Sequence, residues 1–128
     1  MSYLKGFMKK VLVVEDDKFL ANAYKAGFEG EGFEVVLAYD GEEALSLAEQ
    51  LRPDVILLDI LIPKMDGFAV LQHLKANKDL ENIPVIIASN LGQQQDIDKG
   101  LELGAKDFIV KSESSVTQIL TKIKDILK

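Results

Sequence analysis

The sequence predicts an α/β domain, a doubly wound parallel sheet of five strands with helices on both faces. Five short runs rich in Val and Ile alternate with segments of helical period, the pattern of repeated strand–helix units. Several of these runs are apolar at consecutive positions rather than alternate ones, which suits strands covered on both faces. The chain has 128 residues, 48% of them hydrophobic, enough for one domain with a sizeable core.

The first strand is KVLVV (10–14), and three acids follow it in succession, Glu15, Asp16 and Asp17. A helix begins near Asp17, with Phe19, Leu20, Ala23, Tyr24, Gly27 and Phe28 assigned to its apolar face. Gly30 and Gly32 separate it from the second strand, EVVLA (34–38). After YDGEE, the second helix carries Ala44, Leu45, Leu47, Ala48 and Leu51. Pro53 then precedes the third strand, DVILLD (54–59). Phe68, Leu71, Leu74 and Lys75 mark a third helix that Asp66 can cap. Pro84 opens the fourth strand, PVIIAS (84–89). Ile97, Leu101 and Gly104 mark a weaker fourth helix, with Gly104 placed as a glycine C-cap. The fifth strand, DFIVK (107–111), leads to the clearest helix, which carries Val116, Ile119, Leu120, Ile123 and Leu127. Lys122, Lys124 and Lys128 lie near its carboxyl end, where the helix dipole favours cations.

Composition narrows the function. The formal charge is −6, which argues against a direct nucleic-acid footprint. No apolar run approaches the roughly 20 residues needed to cross a bilayer, and the amino terminus lacks a secretory signal pattern. There is no cysteine, which excludes disulfides and thiolate metal sites and fits a cytoplasmic setting.

In a parallel sheet the carboxyl ends of the strands share one edge, and ligands bind there where strand order reverses. That edge receives Glu15, Asp16 and Asp17, then Asp59, Ser89 and Lys111. Two carboxylates about 5 Å apart repel by roughly 3 kcal/mol at an effective dielectric near 20, so the group must hold a proton or a cation. Oxygen ligands without His or Cys nearby favour a hard divalent ion, Mg²⁺ before Ca²⁺, and the spacing of a calcium-binding helix-loop-helix is absent. An open Mg²⁺ site leaves positions for phosphate oxygens, and Lys111 and Ser89 suit the same oxygens. A carboxylate can itself form an aspartyl-phosphate. Asp59, alone at the end of the most apolar strand, is the best placed to do so.

These residues resemble the receiver domain of two-component response regulators, over about 9–128. The motifs are VLVVEDD, DVILLDILIPKMDGF, PVIIAS and GAKDFIVK, in the family's order and spacing. The resemblance implies a flavodoxin-like (βα)5 fold with strand order 2-1-3-4-5. It implies Asp59 as phosphoacceptor and a Mg²⁺ ion, with Mn²⁺ able to replace it, on Asp16, Asp17, Asp59 and the backbone carbonyl of Leu61. Glu15, one position earlier, is taken as a neighbour and not a ligand. Lys111 is implied to contact the phosphoryl group, Ser89 to move toward it and Phe108 to change rotamer with Ser89. Leu61 and Leu91 would flank the group and limit water. The implied partner is a sensor histidine kinase or histidine phosphotransfer protein, docking on the first helix at Lys18, Asn22 and Lys25. The implied output is a partner-binding surface on the fourth helix, fifth strand and fifth helix, through which a homodimer also forms. The setting is bacterial-type cytoplasm. Residues 1–8, with Tyr3, Leu4 and Phe7, are an expected extension of a receiver that is either stand-alone or part of a longer regulator. Two positions depart from the family: Ser112 stands where Pro usually follows the lysine with a cis bond, and Phe108 stands for the frequent Tyr.

Plainer roles stand beside each of these. Asp16 or Asp17 can cap the first helix, and Asp59 can end a strand for reasons of the turn. Lys111 can be a surface lysine, Ser89 a turn hydroxyl in a stretch (SNLG) that also reads as a helix start, and Phe108 a core residue. His73 has no second imidazole or thiol near it in sequence and reads as a solvated or packing histidine. Two functions compete with a phosphoacceptor that turns over no external substrate. One is a Mg²⁺-dependent phosphatase working through an aspartyl-phosphate, which as a class places its nucleophile after the first strand. The other is an interaction module of the same fold that needs no phosphorylation.

Overall fold

Five Val- and Ile-rich segments form one parallel sheet in the computed structural model, which describes residues 8–128. Most of the expected amino-terminal extension lies outside the described residues. In chain order the elements are β1 (Lys10–Val14), α1 (Lys18–Glu29), β2 (Glu34–Ala38), α2 (Gly41–Leu51), β3 (Val55–Leu58), α3 (Gly67–Ala76), β4 (Val85–Ser89), α4 (Gln94–Glu102), β5 (Asp107–Val110) and α5 (Val116–Ile126). The strand order is β2-β1-β3-β4-β5, as the motifs imply.

The consecutive apolar residues in the strands are explained by two cores. Leu12, Val14, Ile56, Leu58 and Ile87 point to one face and pack with Ala44, Ala48, Leu71 and Leu74 of α2 and α3. Val11, Val13, Val55, Leu57 and Ile86 point to the other and pack with Tyr24 and Phe28 of α1 and Ile119 and Ile123 of α5. Successive strand residues face opposite sides, so a strand buried on both must be apolar at every position.

Caps set the helix starts. Asp17 accepts from the Leu20 N–H, Asp40 from Glu43, Asp66 from Ala69, and Ser115 forms a reciprocal capping box with Gln118. Among the described helices α1 to α5, only α4 lacks a side-chain cap; of SNLG, Ser89 ends β4 and the other three residues are loop rather than the helix start. Gly104 follows α4 with φ +108, a left-handed value that favours glycine.

Three of the residues that marked helices in the sequence face elsewhere. Phe19 is 89% exposed, and the buried face of α1 is Ala21, Tyr24 and Phe28. With Asp17 as the cap, Phe19 sits about 140° around the helix from Tyr24, too far to share its face. Leu101 is exposed as well, and Gly100 is the buried residue of α4. Lys75 buries only its stem, against Gly104, while its Nζ donates to the Glu81 carbonyl at 2.9 Å. Burial lowers the pKa of this amine, against the pull of Glu81.

Candidate functional site

Strand register places the site. Leu58 pairs with Val14 on one side and with Ile87 on the other, and Ser89 pairs with Val110. The residues just past β1, β3 and β5 are therefore Glu15, Asp59 and Lys111, and Ser89 ends β4. Glu15 and Asp59 remain tied to the sheet, since Glu15 N–H donates to Ala38 O and Asp59 N–H to Val14 O, both at 3.0 Å.

Lys111 joins two of these acids. Its Nζ lies 2.7 Å from Glu15 Oε1 and 2.8 Å from Asp59 Oδ2. Glu15 is 2% exposed and Asp59 5%. Asp59 Oδ1 accepts from the Ile60 N–H at 2.7 Å and the Leu61 N–H at 3.3 Å. Ser89 is fully buried and its Oγ accepts from Leu91 N–H at 3.3 Å. No described peptide bond is cis, so Lys111–Ser112 is trans, and 111–113 form a single 3₁₀ turn.

Burial pushes the Glu15 carboxyl above its usual range, and the Lys111 ammonium and the Asp17 N–H only partly oppose that push. For Lys111 burial acts downward, but the hydrogen bonds to Asp59 and Glu15 outweigh it and the pKa is raised. The ammonium is thus firmly protonated between two acids.

The acids that converge are Glu15, Asp16 and Asp59, whose oxygens approach within 4.8 Å of one another. Asp16 is exposed and offers the free face of the group. Asp17 Oδ1 caps α1 at 3.1 Å from Leu20 N–H, and Glu15, read from sequence as a neighbour, is inside the group. Asp17 stands three residues before Leu20, the spacing of an N-cap, and so takes the plainer role that the sequence offered for it. Three carboxylates against one ammonium leave a charge near −2 when all are ionised, which suits a divalent ion with oxygen ligands.

The remaining expected residues surround this group less directly. Leu61 follows Asp59 by two residues and is 59% exposed. Leu91 is half-buried beyond Ser89. The Phe108 ring is half-buried and packs toward α4 over Gly100. His73 lies apart from the site, exposed in a shallow groove of about 380 Å³ with Leu45, Glu49 and Leu80. No helix among the described residues is long and apolar enough to cross a membrane.

Known proteins resemble this chain in sequence and shape. The family model of the response regulator receiver domain matches residues 11–124. The DNA-binding dual master transcriptional regulator RpaA of Synechocystis is 36% identical over 121 residues, covering 94% of this chain and 50% of that protein. The alkaline phosphatase synthesis transcriptional regulatory protein PhoP of Bacillus subtilis is 37% identical, covering 94% and 49%. The chain thus spans about half the length of such relatives. Among solved structures, the receiver domain of the Francisella response regulator 1452 superposes with a TM-score of 0.86 at 35% identity, covering 93% of this chain and 96% of that one. The phosphorylated cyanobacterial phytochrome response regulator RcpA does so with 0.80 at 33% identity, covering 93% and 91%.

Proposed function

The chain belongs to the response regulator receiver domain family of two-component systems, and from that premise we propose that Asp59 accepts a phosphoryl group in a Mg²⁺-dependent reaction. The observation that carries this reading is Lys111 Nζ, held between Glu15 and Asp59, the two buried members of a three-acid group whose exposed member is Asp16. The phosphorylated state in which RcpA was solved supports it by similarity.

Asp16, Asp59 and the backbone carbonyl of Leu61 would hold the ion. Glu15 acts at one remove, because Oε1 is engaged by Lys111 and Oε2 by the Asp17 N–H. Asp17 keeps its cap. Bound Mg²⁺, or Mn²⁺ in its place, neutralises charge on the transferring phosphoryl group. The donor is a phosphohistidine on a sensor kinase or phosphotransfer protein, docked on α1 around Lys18, Asn22 and Lys25. An Asp59 carboxylate oxygen attacks phosphorus, the P–N bond breaks, and the imidazole leaves with the electron pair and takes a proton.

The product dianion competes with Glu15 for the Lys111 ammonium. It also offers the Ser89 hydroxyl an acceptor for its proton. Movement of Ser89 draws the loop after β4 inward and frees the space that Phe108 then enters, altering the α4–β5–α5 face. A partner, or a second copy of the chain, that prefers one state of that face reads the signal. This is a phosphoacceptor rather than an enzyme turning over an external substrate.

Intact-mass measurement after incubation with a small acyl phosphate and Mg²⁺ tests the assignment. One phosphoryl adduct is expected, absent from Asp59→Asn and reduced without Mg²⁺. An adduct of equal size on the Asn variant would sink it.

A further inference from the structure

The corner between β2 and α2 lies outside the acid group, yet it grips the loop that leaves Asp59. Gly41, the first residue of α2, donates its N–H to the Pro63 carbonyl at 3.1 Å. A Cβ at Gly41 would stand 2.7 Å from Met65 Cβ and would overlap the Met65 carbonyl oxygen. The obstacle is backbone and cannot swing aside as a side chain would. Pro63 O also accepts from Met65 N–H at 2.8 Å, so one carbonyl closes the turn and ties it to α2. At the turn Lys64 has φ +69, and its Nζ lies 3.6 Å from Asp40 Oδ2.

The other end of the loop is fixed as closely. Gly67 and Ile62 N–H both donate to Ile60 O, at 2.9 and 3.0 Å, and a Cβ at Gly67 would stand 2.7 Å from Ile60 Cα. Between the two anchors lie Ile60 and Leu61, whose amides hold Asp59 Oδ1. Glycine is among the poorest helix residues. Its presence at the start of α2 answers the approach of the loop, not a need of the helix.

We propose that Gly41 is a positioning residue for the phosphoacceptor site: its bare backbone seats the loop 60–66, and the seating sets where the Leu61 backbone stands beside Asp59. This rests on the phosphoacceptor reading. A side chain at position 41 pushes 63–65 outward, the short turn transmits the shift to Leu61, and the Mg²⁺ ligand set loosens.

The test compares Gly41→Ala with Glu42→Ala, an exposed change in the same helical turn. Two quantities are read on each chain: amide hydrogen exchange at Leu61, Ile62 and Met65 without metal, and the Mg²⁺ concentration giving half the maximal rate of adduct formation from a small acyl phosphate. In Gly41→Ala, exchange rises roughly tenfold and the half-maximal Mg²⁺ concentration rises about threefold or more, with much of the rate restored at saturating Mg²⁺. Glu42→Ala stays at wild type in both. A folded Gly41→Ala with wild-type Mg²⁺ dependence overturns the proposal, whatever its exchange. Should Gly41→Ala fail to fold, Lys64→Ala removes the Asp40 tie from the same loop while keeping a Cβ at the left-handed position, and the same readouts decide in the same way. Absence of any adduct on the wild-type chain overturns the phosphoacceptor reading and the proposal together; an adduct with unchanged Mg²⁺ dependence in the variant overturns the proposal alone.

Discussion

Lys111 and Glu15, 96 positions apart in sequence, meet at 2.7 Å from Nζ to Oε1, and both side chains are nearly buried. The contact holds the carboxyl ends of β1 and β5 across the sheet, with β3 between them supplying Asp59. Removing the ammonium leaves two buried acids facing each other. We expect Lys111→Ala to lose about 3 kcal/mol of stability at pH 8, the scale for breaking a buried pair from one side. The loss is smaller at pH 5. Glu15 is already raised by burial, and without Lys111 it rises further and takes up a proton as pH falls. A group whose folded pKa is raised stabilises the fold below its unfolded value, so protonation relieves the variant on the acid side. Urea unfolding at the two pH values measures this, and an equal loss at both would show that charge burial is not the cause.

Metal removal makes a second prediction. Among the described residues the Asp16 carboxylate has no hydrogen-bond partner, so in chelator it contributes mainly repulsion toward Glu15 and Asp59. Asp16→Asn is expected to be at least as stable as wild type in chelator. With Mg²⁺ at ten times its dissociation constant, wild type gains about 1.4 kcal/mol by mass action. The variant gains far less at that concentration. Thermal midpoints with and without Mg²⁺ read both effects, and an equal gain in the two chains would remove Asp16 from the ligand set.

Strands were easy to read from sequence because burial on both faces leaves no polar position inside them. The expected runs 54–59, 84–89 and 107–111 overran Val55–Leu58, Val85–Ser89 and Asp107–Val110 by one residue at one or both ends. At the carboxyl ends the overrun fell on Asp59 and Lys111, polar groups at the sheet edge, so the reading of strand ends led directly to them. Acids adjacent in sequence were harder. Whether Asp17 or Glu15 joins Asp59 depends on where β1 ends and α1 begins, and a shift of one residue exchanges cap for site. The phase of α1 suffered for a similar reason, since Phe19 is apolar but precedes the helix's buried face. Gly41 and Gly100 were out of reach, because what they permit is the approach of distant backbone or rings, which leaves no periodic trace.

Gly100 carries a third prediction. A Cβ there would stand 2.6 Å from Ile87 Cδ1 and 3.0 Å from Phe108 Cδ2, so the ring and α4 compete for one space. Gly100→Ala gains helix propensity, about 1 kcal/mol, and loses more to overpacking, typically 1–3 kcal/mol. The expected net change is a loss of about 1 kcal/mol, with the Phe108 ring displaced from α4. Chemical unfolding and ring-proton shifts of Phe108 report the two parts. A stabilised variant with an unmoved ring would mean that α4 yields instead, as its thin packing allows.

Tyr24 carries the fourth. It is 3% exposed, stacked on Phe28 with ring centroids 5.7 Å apart, and burial pushes its phenol up to about 12. The folded pKa is above the value near 10 of an unfolded chain. Its contribution to stability is therefore complete below pH 10 and is lost as pH rises toward 12. The rise from near 10 to about 12 corresponds to roughly 3 kcal/mol, most of it withdrawn across that window. Ultraviolet titration of the folded protein should contain one late phenolate step near pH 12, missing in Tyr24→Phe. The variant should also lose less stability than wild type between pH 10 and 12. If wild type and variant lose equal stability there, the alkaline weakening comes from other groups, with Lys111 the first to test, because deprotonating it leaves Glu15 and Asp59 without their cation.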